Sequence, residues 1–300
     1  MGGESGKRAG DARPRAAILS IGDELIQGRH VDRNAATLSA WLTERGVEVV
    51  RHLTVDDDEQ GLTEALMDLA RVSDLVISTG GLGPTLDDTT RAASAQAAGV
   101  ELVRDAAAQA ALEQRFVEMG REMAASNLRQ VDVPAGAVVL PNSRGTAPGF
   151  LVPLAAGRSH HAALPGPPRE MAPMLEHLGP LLAERGLVGE PLATRRFHLF
   201  LQSESVFAER VAQAGDWMAR DADPLMSVTA GGGLLSVQLR ATGTSAAWST
   251  AAAMTRSRCF RSPRCCPASP SWPRSSRASR VSASARPSAP ASPSCTSACL

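Results

Sequence analysis

The 300-residue chain contains no tyrosine, and its single lysine is Lys7. A tyrosine general acid is therefore excluded, as is a lysine Schiff base anywhere beyond the polar N-terminal stretch. Cationic work falls to arginine. Cysteine is also missing from residues 1–254, since Cys259, Cys265, Cys266, Cys295 and Cys299 all follow that segment. The body thus has no disulfide, no thiolate nucleophile and no cysteine metal site. None of the five cysteines has zinc-ligand spacing. No stretch approaches the roughly 20 apolar residues that a membrane-spanning helix needs. The segment before Pro14 is polar and has no apolar core, so it reads as a disordered leader and not as a secretory signal. A cytoplasmic location with no membrane partner is expected.

The 31 basic and 31 acidic residues balance only over the whole chain. Residues 255–300 hold eight arginines and no Asp or Glu, which leaves 1–254 acidic by eight charges. An acidic body argues against nucleic acid as a partner and suits an enzyme that concentrates positive potential locally. Serine (13), arginine (8) and proline (7) dominate 255–300, and hydrophobic periodicity vanishes there. Such a composition cannot bury a core, so the tail is expected to be disordered. A basic tail can meet nucleic acid or an anionic surface. The abrupt change after Met254 favours a plainer explanation, an out-of-frame translation of GC-rich coding sequence, which resequencing the gene would test.

The rest of the chain is organised around Ser78–Thr90, which contains Gly80, Gly81, Gly83, Thr85, Asp87 and Asp88. The apolar run Leu75-Val76-Ile77 before it reads as a buried strand, and the alanine-rich 91–98 after it as a helix. Strand, glycine loop and helix together present backbone N–H groups to a phosphate. Asp87 and Asp88 either cap the following helix or hold a divalent metal beside that phosphate.

Two further loops follow presumed strands in the same way. The run 16–21 ends in Gly22-Asp23-Glu24-Leu25-Ile26-Gln27-Gly28, and the run 47–50 leads to Asp56-Asp57-Asp58-Glu59. Asn34 opens a helical pattern of Ala35, Leu38, Trp41 and Leu42, where capping is its expected role. Helices are also expected over 62–69 and 105–123, the latter with Leu112, Phe116, Met119 and Met123 as its apolar face. Strands are expected at 138–140, 150–154 and 161–164, and Pro165–Pro168 starts a helix through Leu178. Strands alternating with helices predict βαβ units and a mostly parallel sheet, with ligands beyond the carboxyl ends of the strands. The three carboxylate-bearing loops would then converge on one acidic pocket that handles phosphate and metal. Domains are expected at 14–180 and, as a small α+β unit, at 181–254. In the second unit, 195–201 reads as a strand, 204–214 as a helix, 231–233 as a hairpin turn and 234–239 as a strand.

Four motifs in order resemble the CinA (competence/damage-inducible protein A) family: Gly22–Gly28 with Asn34, Ser78–Asp88, Gly145-Thr146-Ala147-Pro148-Gly149-Phe150, and Leu164-Pro165-Gly166-Pro167-Pro168-Arg169-Glu170-Met171. The resemblance covers about 16–180 with high specificity and continues more weakly to 254. It implies a three-layer, molybdopterin-binding-like (MoCF) α/β fold, a small KH-type domain, and metal-dependent ADP-ribose pyrophosphatase activity. A nucleic-acid-binding KH domain needs a GXXG loop after its first strand, which this unit lacks, so a structural or dimerising role is expected. Nothing in the chain resembles the family's nicotinamide-nucleotide amidase domain.

Asp88, on that resemblance, and Asp57 and Glu24, as carboxylates at strand ends, are candidates both for catalysis and for holding a divalent metal. Gly22, Asp23, Asn34, Gly80, Gly81, Gly83, Thr85, Gly145, Thr146, Pro148 and Gly166 are candidates for substrate binding. Arg144 and Arg169 are candidate phosphate partners, whereas His160 and His161 read as ordinary strand-end residues. The expected substrate is a small-molecule nucleotide and the expected assembly a homo-oligomer, most simply a dimer. Two rival functions stay open: molybdopterin binding or adenylyl transfer, and a non-catalytic oligomeric scaffold.

Overall fold

A computed structural model describes residues 13–200, 203–219 and 222–242. Lys7, the remainder of 181–254, the Ser/Arg/Pro tail and all five cysteines lie outside the described residues. The first half runs β1 (Arg15–Ile21), α1 (Asp23–Ile26), α2 (Asn34–Glu44), β2 (Glu48–Val55), α3 (Glu59–Val72), β3 (Leu75–Thr79), α4 (Thr90–Ala98), β4 (Leu102–Arg104) and α5 (Ala106–Glu118). A 3-10 segment, Ala125–Val131, follows. Then come β5 (Asp132–Pro134), β6 (Val138–Leu140), β7 (Gly149–Leu154), β8 (Ser159–Leu164) and α6 (Pro168–Glu184). The chain continues through β9 (Leu192–Phe200), α7 (Glu204–Ala214), β10 (Leu225–Gly231) and β11 (Leu234–Thr242).

Six strands form the main sheet in the order β2-β1-β3-β8-β7-β6. The first four are mutually parallel, and β7 and β6 join antiparallel. Residues 16–19 and 75–77 are entirely inaccessible to solvent, as expected for strands covered on both faces. One face packs α2 and α6 through Leu38, Leu42, Met171, Met174 and Leu178. The other packs α3 and α4 through Leu62, Leu66, Leu69 and Ala93. The result is the expected α/β fold, a three-layer arrangement around a mostly parallel sheet. Helix α3 shows the local logic. Its apolar residues recur at helical spacing, and the Asp58 carboxylate caps it by accepting the Gly61 amide at 2.7 Å. Helix α6 opens on Pro168, as the sequence predicts.

Three features depart from the sequence reading. Helix α5 ends at Glu118, because Gly120 turns the chain at φ 62°, so Met119 and Met123 lie beyond it. Leu112 is its only fully buried apolar side chain. Strand β2 extends to Val55, five residues past the predicted run. The short strands β4 and β5 pair antiparallel across the whole of α5, a non-local pairing that three-residue strands do not announce.

A separate three-stranded antiparallel sheet, β10-β11-β9, packs Val237 and Leu239 against Phe207 and Val211 of α7. Gly232 and Gly233, both at positive φ, make the β10–β11 turn at the predicted position. Among the described residues no helix is long and apolar enough to cross a membrane.

Candidate phosphate-binding site

Strands β1, β2, β3 and β8 are parallel, so their carboxyl ends share one edge of the sheet, and the four loops that leave that edge meet there. The chain leaves β1 toward β2 on one side, while β3 and β8 lie on the other. This is a topological switch point, where such sheets open a crevice.

The glycine loop 80–88 is fixed from several directions. Gly80 donates its amide to the Leu164 carbonyl at 3.1 Å and accepts the Thr90 hydroxyl at 2.9 Å. Gly80 sits at φ 110°, and a Cβ there would run into the Ile21 carbonyl oxygen. That oxygen is backbone, so it cannot swing aside. Gly80→Ala is therefore expected to lower stability by about 1–3 kcal/mol, read as a reduced unfolding midpoint in denaturant.

Asp88 closes the loop. Its Oδ1 accepts the Gly83 amide at 2.6 Å, and its Oδ2 accepts the Thr85 amide at 2.8 Å and the Thr85 hydroxyl at 2.5 Å. The helix-cap alternative for Asp88 is corrected by these bonds. Helix α4 has no side-chain cap, and the carboxylate is committed to the loop. The amides of Gly83 and Thr85 are likewise taken, so they are not available to a phosphate. Among the described residues nothing accepts from the amides of Gly81 and Leu82, and both residues line the cavity. Arg91 holds the loop from beneath. It is only 4% exposed and donates to the carbonyls of Leu82 at 2.7 Å and Gly83 at 2.6 Å. Burial lowers its pKa to about 10 against the support of Asp88, which leaves it charged at neutral pH.

Opposite the glycine loop stand Asp57 and Glu24. Asp57 accepts the Asp23 amide at 3.2 Å. Burial raises its pKa; the Asp23 amide opposes this, and the negative charges of Asp23, Glu24 and Asp87 add to it. The Glu24 carboxylate folds over Gly22, where a Cβ would stand 2.6 Å from it. Thr89 ties the two loops together by donating its hydroxyl to the Asp57 carbonyl at 3.1 Å. Among the described residues, no three His, Cys, Asp or Glu side chains are grouped so as to hold a metal ion. Asp88, Asp57 and Glu24 face one cavity without forming the preassembled ligand set that the sequence suggests.

The remaining wall comes from the loops 141–148 and 165–167. Asn34 was expected to cap α2. Instead Asp32 does so, accepting the Ala35 amide at 2.9 Å, and Asn34 donates to the Gly166 carbonyl at 2.7 Å. Asn142 holds the other loop with four bonds. It accepts the amides of Arg144 and Gly145 and donates to the Ala147 carbonyl and the Glu170 carboxylate, all at 2.8–2.9 Å.

Together these loops enclose a cavity of about 420 Å³. Gly22, Glu24, Asp57, Gly80, Gly81, Gly83, Asp88, Thr146 and Gly166 line it. The other candidates stand back. Asp23 acts through its amide on Asp57, Thr85 holds Asp88, and Asn34 faces a neighbouring groove with Arg29 and Arg33. Gly145 and Pro148 line a second cavity, of about 520 Å³, beside α5. Arg144 and Arg169 are exposed and line neither cavity.

His161 is wholly buried in β8, its ring nitrogens 2.8 Å from Ser78 Oγ and 3.0 Å from Ser94 Oγ. Sequence reasoning missed Arg91, Gln130, Asn142 and Glu170. Arg91 directly follows the glycine motif and Asn142 begins a turn-rich loop, so both had a local signal. Gln130 had none.

Residues 17–184 match the family described as "Probable molybdopterin binding domain". A CinA-like protein of Geobacter metallireducens is 47% identical over 201 residues, covering 66% of this chain and 48% of its own length. A CinA-like protein of Frankia casuarinae is 39% identical over 237 residues, covering 76% of this chain and 53% of its own. The crystal structure of the protein CinA from Thermoplasma acidophilum, described as of unknown function, superposes with a TM-score of 0.52 at 33% identity. That match covers 56% of this chain and 98% of the other. The chain spans about half the length of the curated relatives it matches.

Proposed function

The chain belongs to the CinA-like family through its molybdopterin-binding-like domain, and from that premise we propose that it hydrolyses a nucleotide pyrophosphate. ADP-ribose, cleaved to AMP and ribose 5-phosphate, is the first substrate to test. The observation that carries this reading is Asp57. It is a carboxylate with a raised pKa, and it lines a cavity sized for a phosphorylated ligand together with Gly81 and Leu82, whose amides have no acceptor among the described residues. In this reading the amides of Gly81 and Leu82 hold the oxygens of one phosphate. Asp57 takes a proton from the attacking water. The water oxygen bonds to phosphorus, the bond from that phosphorus to the bridging oxygen breaks, and the bridging oxygen leaves with the other phosphate. Asp88 and Arg91 are positioning residues that keep the loop in shape.

The resemblance implies a divalent metal, but the donor set does not fit an ion held by protein alone. Asp88 already accepts three hydrogen bonds from the loop, and no three-ligand group exists among the described residues. Magnesium is commonly bound through one or two carboxylates plus substrate phosphates. We therefore take the cation to arrive as part of the substrate, as a metal–pyrophosphate complex. AMP release from ADP-ribose is expected with magnesium, is lost in chelator and returns on re-addition. Dialysis against magnesium alone is expected to retain no stoichiometric ion. Tight retention without nucleotide would overturn the substrate-borne cation, and no AMP from folded protein would overturn the hydrolase.

The family match supports a second reading, binding of a molybdopterin-type ligand in the same cavity. Binding of a pterin phosphate without turnover of any nucleotide would favour it.

A further inference from the structure

The loop 141–148 separates two neighbouring cavities. Thr146 lines the phosphate-binding cavity and also lines the second cavity under α5. Gln130 stands at this threshold. It is only 2% exposed, and its amide Nε2 donates to the Thr146 hydroxyl at 3.2 Å. Its Oε1 is buried without a hydrogen-bond partner. Because a hydroxyl can donate or accept, Thr146 satisfies one end of the amide whichever way it is turned, and the other end stays open. Buried polar groups left unpaired are uncommon and costly, and an amide in that state beside a cavity is a ready ligand contact.

The second cavity has a different character from the first. Ala108, Ala111, Leu112, Val139 and Pro148 give it a largely apolar wall. One cation reaches it, Arg115, whose Nε is also buried without an acceptor. Apolar walls with a few placed polar groups suit a flat heterocycle, and the Arg115 guanidinium, paired with Glu118 at 4.0 Å, stands beside it. The first cavity offers backbone amides and carboxylates, which suit phosphate and its accompanying cation.

We propose that the cavity beneath α5 is a subsite for the planar, nitrogen-containing ring of the ligand, and that the Gln130 amide, which lines the first cavity beside the shared Thr146, bonds the ring's edge. This rests on the phosphate-binding reading of the first cavity. It adds that Gln130 and the α5 wall, absent from every motif in the sequence, determine which ring is accepted.

The test measures binding of ADP-ribose, AMP and inorganic pyrophosphate by titration calorimetry, with magnesium present. The proteins are the wild type, Gln130→Leu and Ala111→Trp. Ala111 lies on the exposed side of α5, so tryptophan fills the cavity from its mouth and leaves the core alone. The wild type is expected to bind ADP-ribose and AMP at least 10-fold more tightly than pyrophosphate. Each variant is expected to lose 10-fold or more for the two nucleotides and to bind pyrophosphate as the wild type does. Gln130→Leu removes a buried carbonyl oxygen that has no partner, at the loss of one 3.2 Å bond to Thr146, so its melting temperature is expected to hold or rise, which a merely structural glutamine would not allow. Nucleotide affinities unchanged in both variants, or a wild type that binds nucleotide no better than pyrophosphate, would overturn the subsite. Tight, variant-sensitive binding of ADP-ribose without AMP release would leave the subsite standing and remove the hydrolase.

Discussion

Asp57→Asn is expected to lower AMP release from ADP-ribose by about 10²–10⁴-fold, the range that a positioned general base contributes. Asparagine keeps the size of the side chain and an oxygen that can accept the Asp23 amide, so the bond at 3.2 Å survives. What disappears is the site for the proton. The same substitution removes a negative charge from among Asp23, Glu24 and Asp87. The variant is therefore expected to unfold at a temperature equal to or above that of the wild type, as happens when a strained active-site group is relieved. The pH profile gives a second readout. The base works only when ionised, and its pKa is raised, so kcat/KM of the wild type falls on acidification at a pH above the ordinary carboxylate range. Asp57→Asn should lose that acid limb along with the rate. Turnover within a few-fold of the wild type, or an unshifted acid limb, would remove Asp57 from the chemistry.

Acidification from pH 7 to pH 5 is expected to cost the fold about 2 kcal/mol through His161 alone. The ring lies between Ser78 and Ser94, edge-on to Phe150 with the ring centroids 6.0 Å apart. Burial drives its pKa from 6.5 down to about 3. The unfolded chain therefore binds a proton below pH 6.5 that the folded one refuses. The stability His161 allows is complete above pH 6.5 and is lost as pH falls toward 3, at about 1.4 kcal/mol per unit. His160 adds in the same direction, since burial and Arg185 hold its pKa low as well. Denaturant unfolding at pH 7 and pH 5 for the wild type and His161→Gln isolates the contribution. The amide can still bond both serines, but it cannot titrate, so the variant should lose about 2 kcal/mol of the difference between the two pH values. Equal pH dependence in both proteins would mean that the imidazole is not held neutral.

Much of the main sheet was legible because its strands are short apolar runs closed by turn residues, glycine after β1 and β3 and proline after β6 and β8. The run 75–77 before Gly80 and the run 16–21 before Gly22 needed no tertiary information. Neither did the placing of the carboxylate loops at one edge, since parallel strands require it. The pairing of β4 with β5 was not legible, because it joins three-residue strands across an entire helix. The end of α5 was missed for a local reason, with Gly120 outweighing the apolar spacing of Met119 and Met123.

At the site, composition and motif order determined which residues gather: the glycine loop, Asp57, Glu24, Thr146 and Gly166. Only the tertiary structure decided what each one does. Asp88 carries the same charge in either role, and it is the reach to the Gly83 and Thr85 amides that makes it a brace for the loop. Asn34 stands where a cap belongs, yet Asp32 takes the cap and frees it to tie α2 to Gly166. Gln130 lies in an unremarked 3-10 turn, and only folding brings its amide to the cavity wall. Residue type and spacing specify charge, turn and periodicity, which are local. Which lone pairs and N–H groups remain open for a ligand depends on partners 3 to 132 positions away in the chain. The sequence alone does not contain that count of satisfied and unsatisfied groups.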